Sequence, residues 1–201
     1  MQPSKHEYWA YGTSGLFRGF PRILGPHVRD ALAYLPTGQL PPLGEIVLTL
    51  NGEALRVPER IYNPEIISRD PLTATQALII HCLYSRHHDG YVREKSLRRM
   101  LEAHEPWMFP FTLALLNDCV IEIHGVLLAY APTLASDAYR RACAENLPFV
   151  ELKKARMVSF WDLHYRGIDP DNYPAFQVAK LMGWWKPSEL RWARRRKKRG
   201  Y

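Results

Sequence analysis

The chain has 201 residues, of which 47% are hydrophobic and 23% are charged. This composition is typical of a globular protein and excludes a disordered, collagen-like or coiled-coil chain. The formal net charge of +7 comes from 27 basic and 20 acidic residues, and the length allows one domain, or one and a half, with a sizeable core.

Residues 1–25 mix aromatic side chains with glycines and show no sustained period, which predicts an irregular N-terminal arm that packs through its rings. The chain start lacks the apolar run of roughly 7–15 residues of a signal peptide. No stretch reaches the roughly 18 apolar residues of a membrane span, so we expect no transmembrane segment. Cys82, Cys119 and Cys143 stand far apart among apolar residues. This spacing predicts buried, reduced thiols and a cytoplasmic protein.

A β-hairpin is predicted at residues 45–58. Two runs of alternating apolar residues flank Asn51-Gly52, a pair that suits a type I′ turn because both of its positions need positive φ. A two-residue loop sets a register in which apolar residues face each other: Leu48 with Leu55, and Ile46 with Val57. An isolated hairpin is marginally stable, so we expect the helices that follow to support it.

The rest of the chain shows the apolar period of helices. Thr73 and Gln76 form a capping-box pattern at the start of one of them, and prolines and glycines divide the others. We place helices at about 26–35 and 72–86, around Val92 to Leu101, from Pro106 to Leu116, at 120–130 and 137–146, from Pro148 to Tyr165, and at 174–182. The predicted fold class is mainly α, an irregular helical bundle or a set of short helix pairs, with one β-hairpin.

Two helical segments resemble each other at an offset of 28 residues. Tyr91–Leu97 aligns with Cys119–Gly125, and each follows a short acidic turn, Asp89-Gly90 or Asn117-Asp118. An acidic turn, a Val-Arg-Glu helix start and a proline-started partner helix resemble a HEAT repeat. The resemblance covers residues 72–131 and implies HEAT-like helix pairs in a protein-interaction scaffold without chemistry of its own. The second segment departs from the pattern because an isoleucine replaces the arginine, and the offset is shorter than the usual ~40-residue unit.

Residues 81–93 are the first candidate for chemistry, since they gather His81, Cys82, His87, His88, Asp89 and Arg93. Imidazole, thiolate and carboxylate are zinc ligands, but adjacent helical side chains diverge by about 100° and no i, i+4 histidine pair is present. We therefore expect no metal and no cofactor. Two hypotheses stay open. One is an enzyme, metal-dependent or metal-independent, with His87, His88, Asp89 and Arg93 as catalytic candidates, helped by His124. The other is that histidines close a helix C-terminus.

A second polar group spans Trp161 to Arg166 and lies on one predicted helix. Asp162 and Arg166 are four residues apart, a spacing that predicts an ion pair along the helix surface. His164 lies beside the apolar stripe of this helix and is interpreted as a hydrogen-bonded structural histidine rather than a base. No nucleophile lies nearby in the sequence, which argues against a catalytic site in this group.

Residues 184–201 form a predicted basic tail. They hold eight of the basic residues and one acid, Glu189, which leaves 19 of each sign in the other 183 residues. An unbroken run of six bases suits the phosphates of nucleic acid, and tryptophans can stack on unpaired bases or lie at a lipid interface. The predicted nucleic-acid or anion-binding residues are Lys186, Arg191, Trp192, Arg194, Arg195, Arg196, Lys197, Lys198 and Arg199.

The sequence therefore predicts an arm at 1–25, a mainly helical domain at 26–183 and a basic tail at 184–201. Nucleotide-binding glycine loops and the serine-hydrolase motif are absent from the sequence. We predict a non-catalytic interaction protein whose helical domain binds a protein partner and whose tail binds nucleic acid. The alternatives are the enzyme at residues 81–93 and membrane-surface binding through the tryptophans and arginines of the tail.

Overall fold

The computed structural model describes residues 15–66 and 72–185. In this part the chain is mainly α-helical with one two-stranded antiparallel sheet, which confirms the predicted fold class. The chain divides into two compact units, residues 1–113 and 114–201. The predicted limits of the arm, the helical domain and the tail stay predictions.

The described part of the first unit combines helices with the hairpin. Its elements are α1 (Gly25–Tyr34), β1 (Leu43–Leu50), β2 (Glu53–Arg60), α2 (Ala74–Tyr84) and α3 (Gly90–Ala103), with 3-10 turns at Arg22–Leu24 and Pro106–Met108. α2 packs against both α1 and α3. The predicted capping box starts α2, because the Gln76 N–H donates to Thr73 Oγ1 at 3.3 Å and the Thr73 N–H donates to Gln76 Oε1 at 2.9 Å. α4 (Phe109–Ala114) ends where the second unit begins.

The hairpin has the predicted register. Its paired residues include Leu48 with Leu55 and Ile46 with Val57, and these four side chains are buried on one face. Asn51 and Gly52 have φ values of 51° and 79°, as the predicted turn requires.

The free edge of β2 is held by two other segments. The Arg56 N–H donates to the Arg18 carbonyl at 2.8 Å. Arg86, which follows α2, donates from Nε to the Pro58 carbonyl at 3.1 Å, and its own carbonyl accepts from the Ile61 N–H at 2.9 Å. The hairpin is therefore supported by the N-terminal residues of the described chain as well as by the later helical region.

The described part of the second unit consists of helices and the turns that connect them. It contains α5 (Ile121–Ala129), α6 (Ala131–Leu134), α7 (Asp137–Glu145), α8 (Leu147–His164) and α9 (Pro174–Leu181). α9 packs against α5, and α7 packs against α8. The completely buried Trp161 of α8 donates from Nε1 to the Ile168 carbonyl at 3.0 Å. The four-residue α6 was not predicted, and no helix in the described ranges combines the length and apolar content needed to cross a bilayer.

The substitution Gly52→Ala is expected to destabilise the first unit by about 1 kcal/mol, because L residues rarely adopt a left-handed backbone conformation. A steric clash does not contribute, since nothing lies within 4 Å of the added Cβ. Gly125→Ala is the matched control, because Gly125 lies inside α5 with open space around it. It should stabilise by up to about 1 kcal/mol. Urea unfolding of the two variants checks the opposite signs, and equal effects would contradict the assigned turn.

Candidate functional site

His87 lies in the turn between α2 and α3, and both of its ring nitrogens bind backbone. Nε2 lies 3.1 Å from the Asn63 carbonyl, and Nδ1 accepts from the Asp89 N–H at 3.1 Å. This network assigns the ring proton to Nε2. Burial lowers the pKa of His87 and the neighbouring His88 lowers it further, whereas the Asn63 carbonyl and Asp89 oppose the shift. The ring is therefore neutral at neutral pH and engaged at both nitrogens.

Asp89 and Arg93 hold the same turn. Asp89 Oδ1 accepts from the Tyr91 N–H at 2.8 Å and so caps the start of α3. The buried Arg93 donates from Nη1 to the carbonyls of His87 and His88, at 2.9 Å to each. Three of the four catalytic candidates thus bind the backbone that connects α2 to α3.

His88 is an exposed member of this group. Its ring stacks on Tyr62 with centroids 5.4 Å apart, and its backbone N–H donates to the Ile61 carbonyl at 3.0 Å. The hypothesis that histidines close a helix C-terminus is wrong for His87 and His88, because α2 ends at Tyr84. His87 instead accepts a hydrogen bond from the backbone N–H of Asp89, the residue immediately before α3.

His81 lies in the last turn of α2, apart from the turn that holds His87. Burial lowers the pKa of His81, and Arg99 and Lys95 of α3 lower it further. Burial raises the pKa of the adjacent Cys82 thiol. Within residues 15–66 and 72–185, no three His, Cys, Asp or Glu side chains come together as a metal-binding group.

The second unit contains a polar cluster around His124 that the sequence analysis did not predict, although it named His124, Asp118 and Tyr165 separately. The completely buried His124 ring meets the Tyr173 ring edge-on with centroids 5.6 Å apart. Tyr165 stacks on Tyr173 at 5.6 Å, and its hydroxyl donates to the Cys119 carbonyl at 2.6 Å. Residues at the ends of three helices therefore form one connected group, in which Tyr173 contacts both His124 and Tyr165.

Asp118 precedes α5 and completes this cluster. Its buried carboxylate accepts from the Val120 N–H at 3.1 Å, which fixes the turn into the helix. The carboxylate and the carbonyl of Asp118 both favour the charged form of His124, but burial outweighs them and lowers the pKa of His124 to about 4.

The Tyr173 hydroxyl is buried without a hydrogen-bond partner in the described part of the chain, and the completely buried His124 ring has the Asp118 carbonyl beside it. Burial, Tyr165 and Asp118 raise the pKa of Tyr173, so both residues are neutral at neutral pH. Unpaired buried polar atoms cost stability. Because the His124 ring is closed to solvent, the arrangement suits sensitivity to acid rather than catalysis.

The cysteine prediction holds at two positions and is wrong at one. Cys82 and Cys143 are buried free thiols, whereas the free thiol of Cys119 is exposed. Cys119 lies in the turn before α5, with Sγ 3.8 Å from Asp118 Oδ1, and its apolar sequence neighbours Leu115 and Leu116 are buried although Cys119 is not.

The predicted ion pair on α8 is confirmed, with Arg166 Nη2 at 2.8 Å from Asp162 Oδ1. His164 is exposed and stacks on Phe160 with centroids 5.9 Å apart. His164 therefore lies on the surface of α8, stacked on a residue of the same helix.

Only the first two residues of the predicted tail are described, and both belong to the second unit. Trp184 is buried and donates from Nε1 to Cys143 Sγ at 3.3 Å. Trp185 meets Phe176 edge-on at 5.0 Å. The hypothesis that the tryptophans stack on bases or lie at a lipid interface is wrong for Trp184, because its indole is in the core. The predicted nucleic-acid-binding residues, from Lys186 to Arg199, lie outside the described residues.

The two polar groups therefore differ in kind. The α2–α3 turn uses its titratable residues to bind backbone, whereas the His124 ring of the second unit is closed to solvent. A comparison of the chain with protein-family models, with curated proteins and with solved structures finds no match. Function is inferred from the residues and their geometry.

Proposed function

We propose that this chain is a non-catalytic binding protein whose helical body binds a protein partner and whose basic segment, residues 186–199, binds nucleic acid. The observation that carries the proposal is the distribution of charge. Residues 184–201 hold eight of the 27 bases and one of the 20 acids, so the rest of the chain is neutral. Binding to phosphates depends mainly on such concentrated positive charge, because it releases the counterions that surround nucleic acid.

Ion pairs on the body support this assignment. Three exposed bases and two half-buried ones pair with acids. The exposed pairs are Lys95 with Glu65, Arg98 with Glu94 and Arg140 with Asp137, and the half-buried lysines are Lys154 with Glu151 and Lys180 with Asp171. Each pair adds little stability, but it cancels the local positive field that a phosphate backbone would meet. The body therefore favours a different kind of partner from the basic segment.

The hydrogen bonds of the catalytic candidates support the proposal that the protein is non-catalytic. His87, Asp89 and Arg93 bind backbone groups of one turn. The resemblance of residues 72–131 to HEAT repeats agrees with a protein-binding body and stays a prediction. Free thiols on the described chain fit a cytoplasmic location.

Trp184 and Trp185 define where the basic segment begins. Trp184 is buried and Trp185 packs on Phe176, and Lys154 Nζ lies 5.9 Å from the centre of the Trp185 ring. A truncation that removes residues 186–201 therefore leaves these contacts of the second unit intact.

We expect that truncation to abolish retention on immobilised nucleic acid at low salt. Full-length chain and chain ending at Trp185 are compared on single-stranded and duplex oligonucleotides, with circular dichroism as the check on folding. A second variant keeps the length and replaces each residue of 194–199 with glutamine. It should lose retention to nearly the same extent, because the six charges rather than the added length bind phosphate.

Retention that survives both changes would show that the assignment of the basic segment is wrong. Sedimentation with anionic and with neutral lipid vesicles tests the alternative partner, an anionic membrane surface. Binding to anionic vesicles without binding to nucleic acid would also overturn the proposal and would favour a membrane surface.

A further inference from the structure

The hairpin turn joins an exposed asparagine side chain to an unhindered backbone nitrogen. Asn51 and Gly52 are both exposed, and within the described ranges neither the Asn51 carboxamide nor the Gly52 N–H takes part in a hydrogen bond. Nothing lies within 4 Å of the position that a Cβ on Gly52 would occupy. The carboxamide carbon of Asn51 and the amide nitrogen of Gly52 are therefore both accessible, and no contact holds them apart.

Three other asparagines of the chain lack this combination. Asn63 precedes a proline, whose nitrogen carries no hydrogen. The Asn117 side chain accepts from Lys153 Nζ. The buried Asn146 side chain donates to the Ala142 carbonyl at 2.7 Å. In each case either the backbone nitrogen or the carboxamide is unable to react.

Asn172 is the fifth asparagine and the closest comparison, because it is exposed like Asn51. The next backbone nitrogen belongs to Tyr173, a large side chain that is completely buried. The Asn172 N–H also donates to the Asp169 carbonyl at 2.8 Å, which fixes the local backbone. Asn172 therefore has a similar exposure but a hindered neighbour, and it serves as an internal control.

We propose that Asn51 is a site of spontaneous covalent modification by water. The Gly52 amide nitrogen loses its proton to hydroxide and bonds to Cγ of Asn51. The Cγ–Nδ2 bond then breaks, and Nδ2 takes a proton from water and leaves as ammonia. Water opens the resulting succinimide ring at either carbonyl, which gives an aspartate or an isoaspartate. Water is the only co-reactant, and the inference is independent of both proposed binding partners.

The two products differ in the turn that they can form. Aspartate followed by glycine suits a type I′ turn as asparagine does, so the aspartyl product keeps the pairing of Leu48 with Leu55. Isoaspartate carries the backbone through its side-chain carbon and so lengthens the loop. Because the loop length fixes the register of a hairpin, the isoaspartyl product should weaken the pairing and lower the stability of the first unit.

The test incubates the full-length chain in buffer at about pH 8 and at about pH 5. Tryptic peptides are analysed over time by mass spectrometry that distinguishes asparagine, aspartate and isoaspartate. We expect conversion at Asn51 to be at least about tenfold faster than at Asn172 in the same molecule. Conversion at Asn51 should be slower at the lower pH, because the attacking nitrogen must lose its proton.

Gly52→Ala is the matched variant, because it keeps Asn51 and adds a Cβ beside the attacking nitrogen. Conversion at Asn51 should fall about tenfold or more. A turn that the substitution merely loosened would convert faster, so the direction of the change separates steric hindrance from loss of structure.

Asn51→Asp supplies the aspartyl product in pure form. It should unfold at nearly the same urea concentration as freshly prepared wild type, since Asp-Gly keeps the turn. An incubated sample that contains isoaspartate should show a population that unfolds at lower urea.

Two results would overturn the inference: conversion at Asn51 no faster than at Asn172, or conversion in Gly52→Ala as fast as in the wild type. An isoaspartate-containing sample as stable as Asn51→Asp would contradict the effect assigned to the lengthened loop.

Discussion

Acidification from pH 7 to pH 4 is expected to lower the free energy of unfolding of the second unit by about 3 kcal/mol through His124. Burial holds the pKa of His124 at about 4 in the folded protein, whereas an unperturbed histidine has a pKa of about 6.5. Between these values the unfolded chain binds a proton and the folded chain does not. The stability that the protein keeps by leaving His124 neutral is therefore fully present above about pH 6.5 and is lost as the pH falls toward 4.

The surroundings of His124 explain why the folded chain resists protonation. Its ring faces Tyr173, whose hydroxyl is itself neutral and unpaired in the described structure. Asp118 favours the imidazolium, but this attraction is smaller than the cost of burying the charge. A proton on His124 would place a cation in the core between α5 and the start of α9.

His124→Phe isolates this effect, because phenylalanine keeps an aromatic ring and removes the titration. Urea unfolding of both proteins from pH 8 to pH 4 gives two stability curves, and their difference should change by about 3 kcal/mol between pH 7 and pH 4. His81 and His87 titrate in both proteins and cancel in this difference. At pH 7 the variant should be about as stable as the wild type, since phenylalanine keeps the ring that packs on Tyr173 and removes buried polar nitrogens. Parallel curves would contradict the assignment.

Arg93→Met is expected to destabilise the first unit by about 3 kcal/mol, because it leaves two backbone carbonyls without their charged donor. Arg93 is buried, and its Nη1 lies 2.9 Å from the carbonyls of both His87 and His88. Methionine fills much of the same space but donates no hydrogen bond. The loss should appear as a lower urea midpoint for the first unit.

Arg98→Met is the control for this substitution. Arg98 lies on the same helix, is largely exposed and pairs with Glu94 at 2.6 Å, so its loss should cost less than about 0.5 kcal/mol. A catalytic role for Arg93 would predict the opposite pattern, with stability preserved after Arg93→Met. Equal stability of the two variants would therefore contradict the structural role assigned to Arg93.

Local features of the fold could be predicted because they depend on residues that are close in the sequence. Asn51-Gly52 set the hairpin turn and hence the register that pairs Leu48 with Leu55. Thr73 and Gln76 satisfied the first backbone donors of α2. In both cases a turn or a cap requires particular residue types at fixed spacing, so pattern and structure agree.

The sites could be predicted only in part, because they depend on contacts between distant residues. His124 meets Tyr173 from another helix, and no local period links the two. The apolar neighbours of Cys119 in the sequence suggested burial, but the chain turns there and exposes the thiol. Likewise, the tryptophan at position 184 was assigned to a tail although its indole completes the core beside Cys143.

The salt dependence of nucleic-acid binding tests the central claim most directly. With about six phosphate contacts from residues 194–199, the slope of log K against log salt for a duplex oligonucleotide should be about −5. The variant with glutamine at all six positions keeps only Lys186 and Arg191 in the segment and should show a slope no steeper than about −2. An equal slope for the two proteins would contradict the claim that this basic segment makes the phosphate contacts.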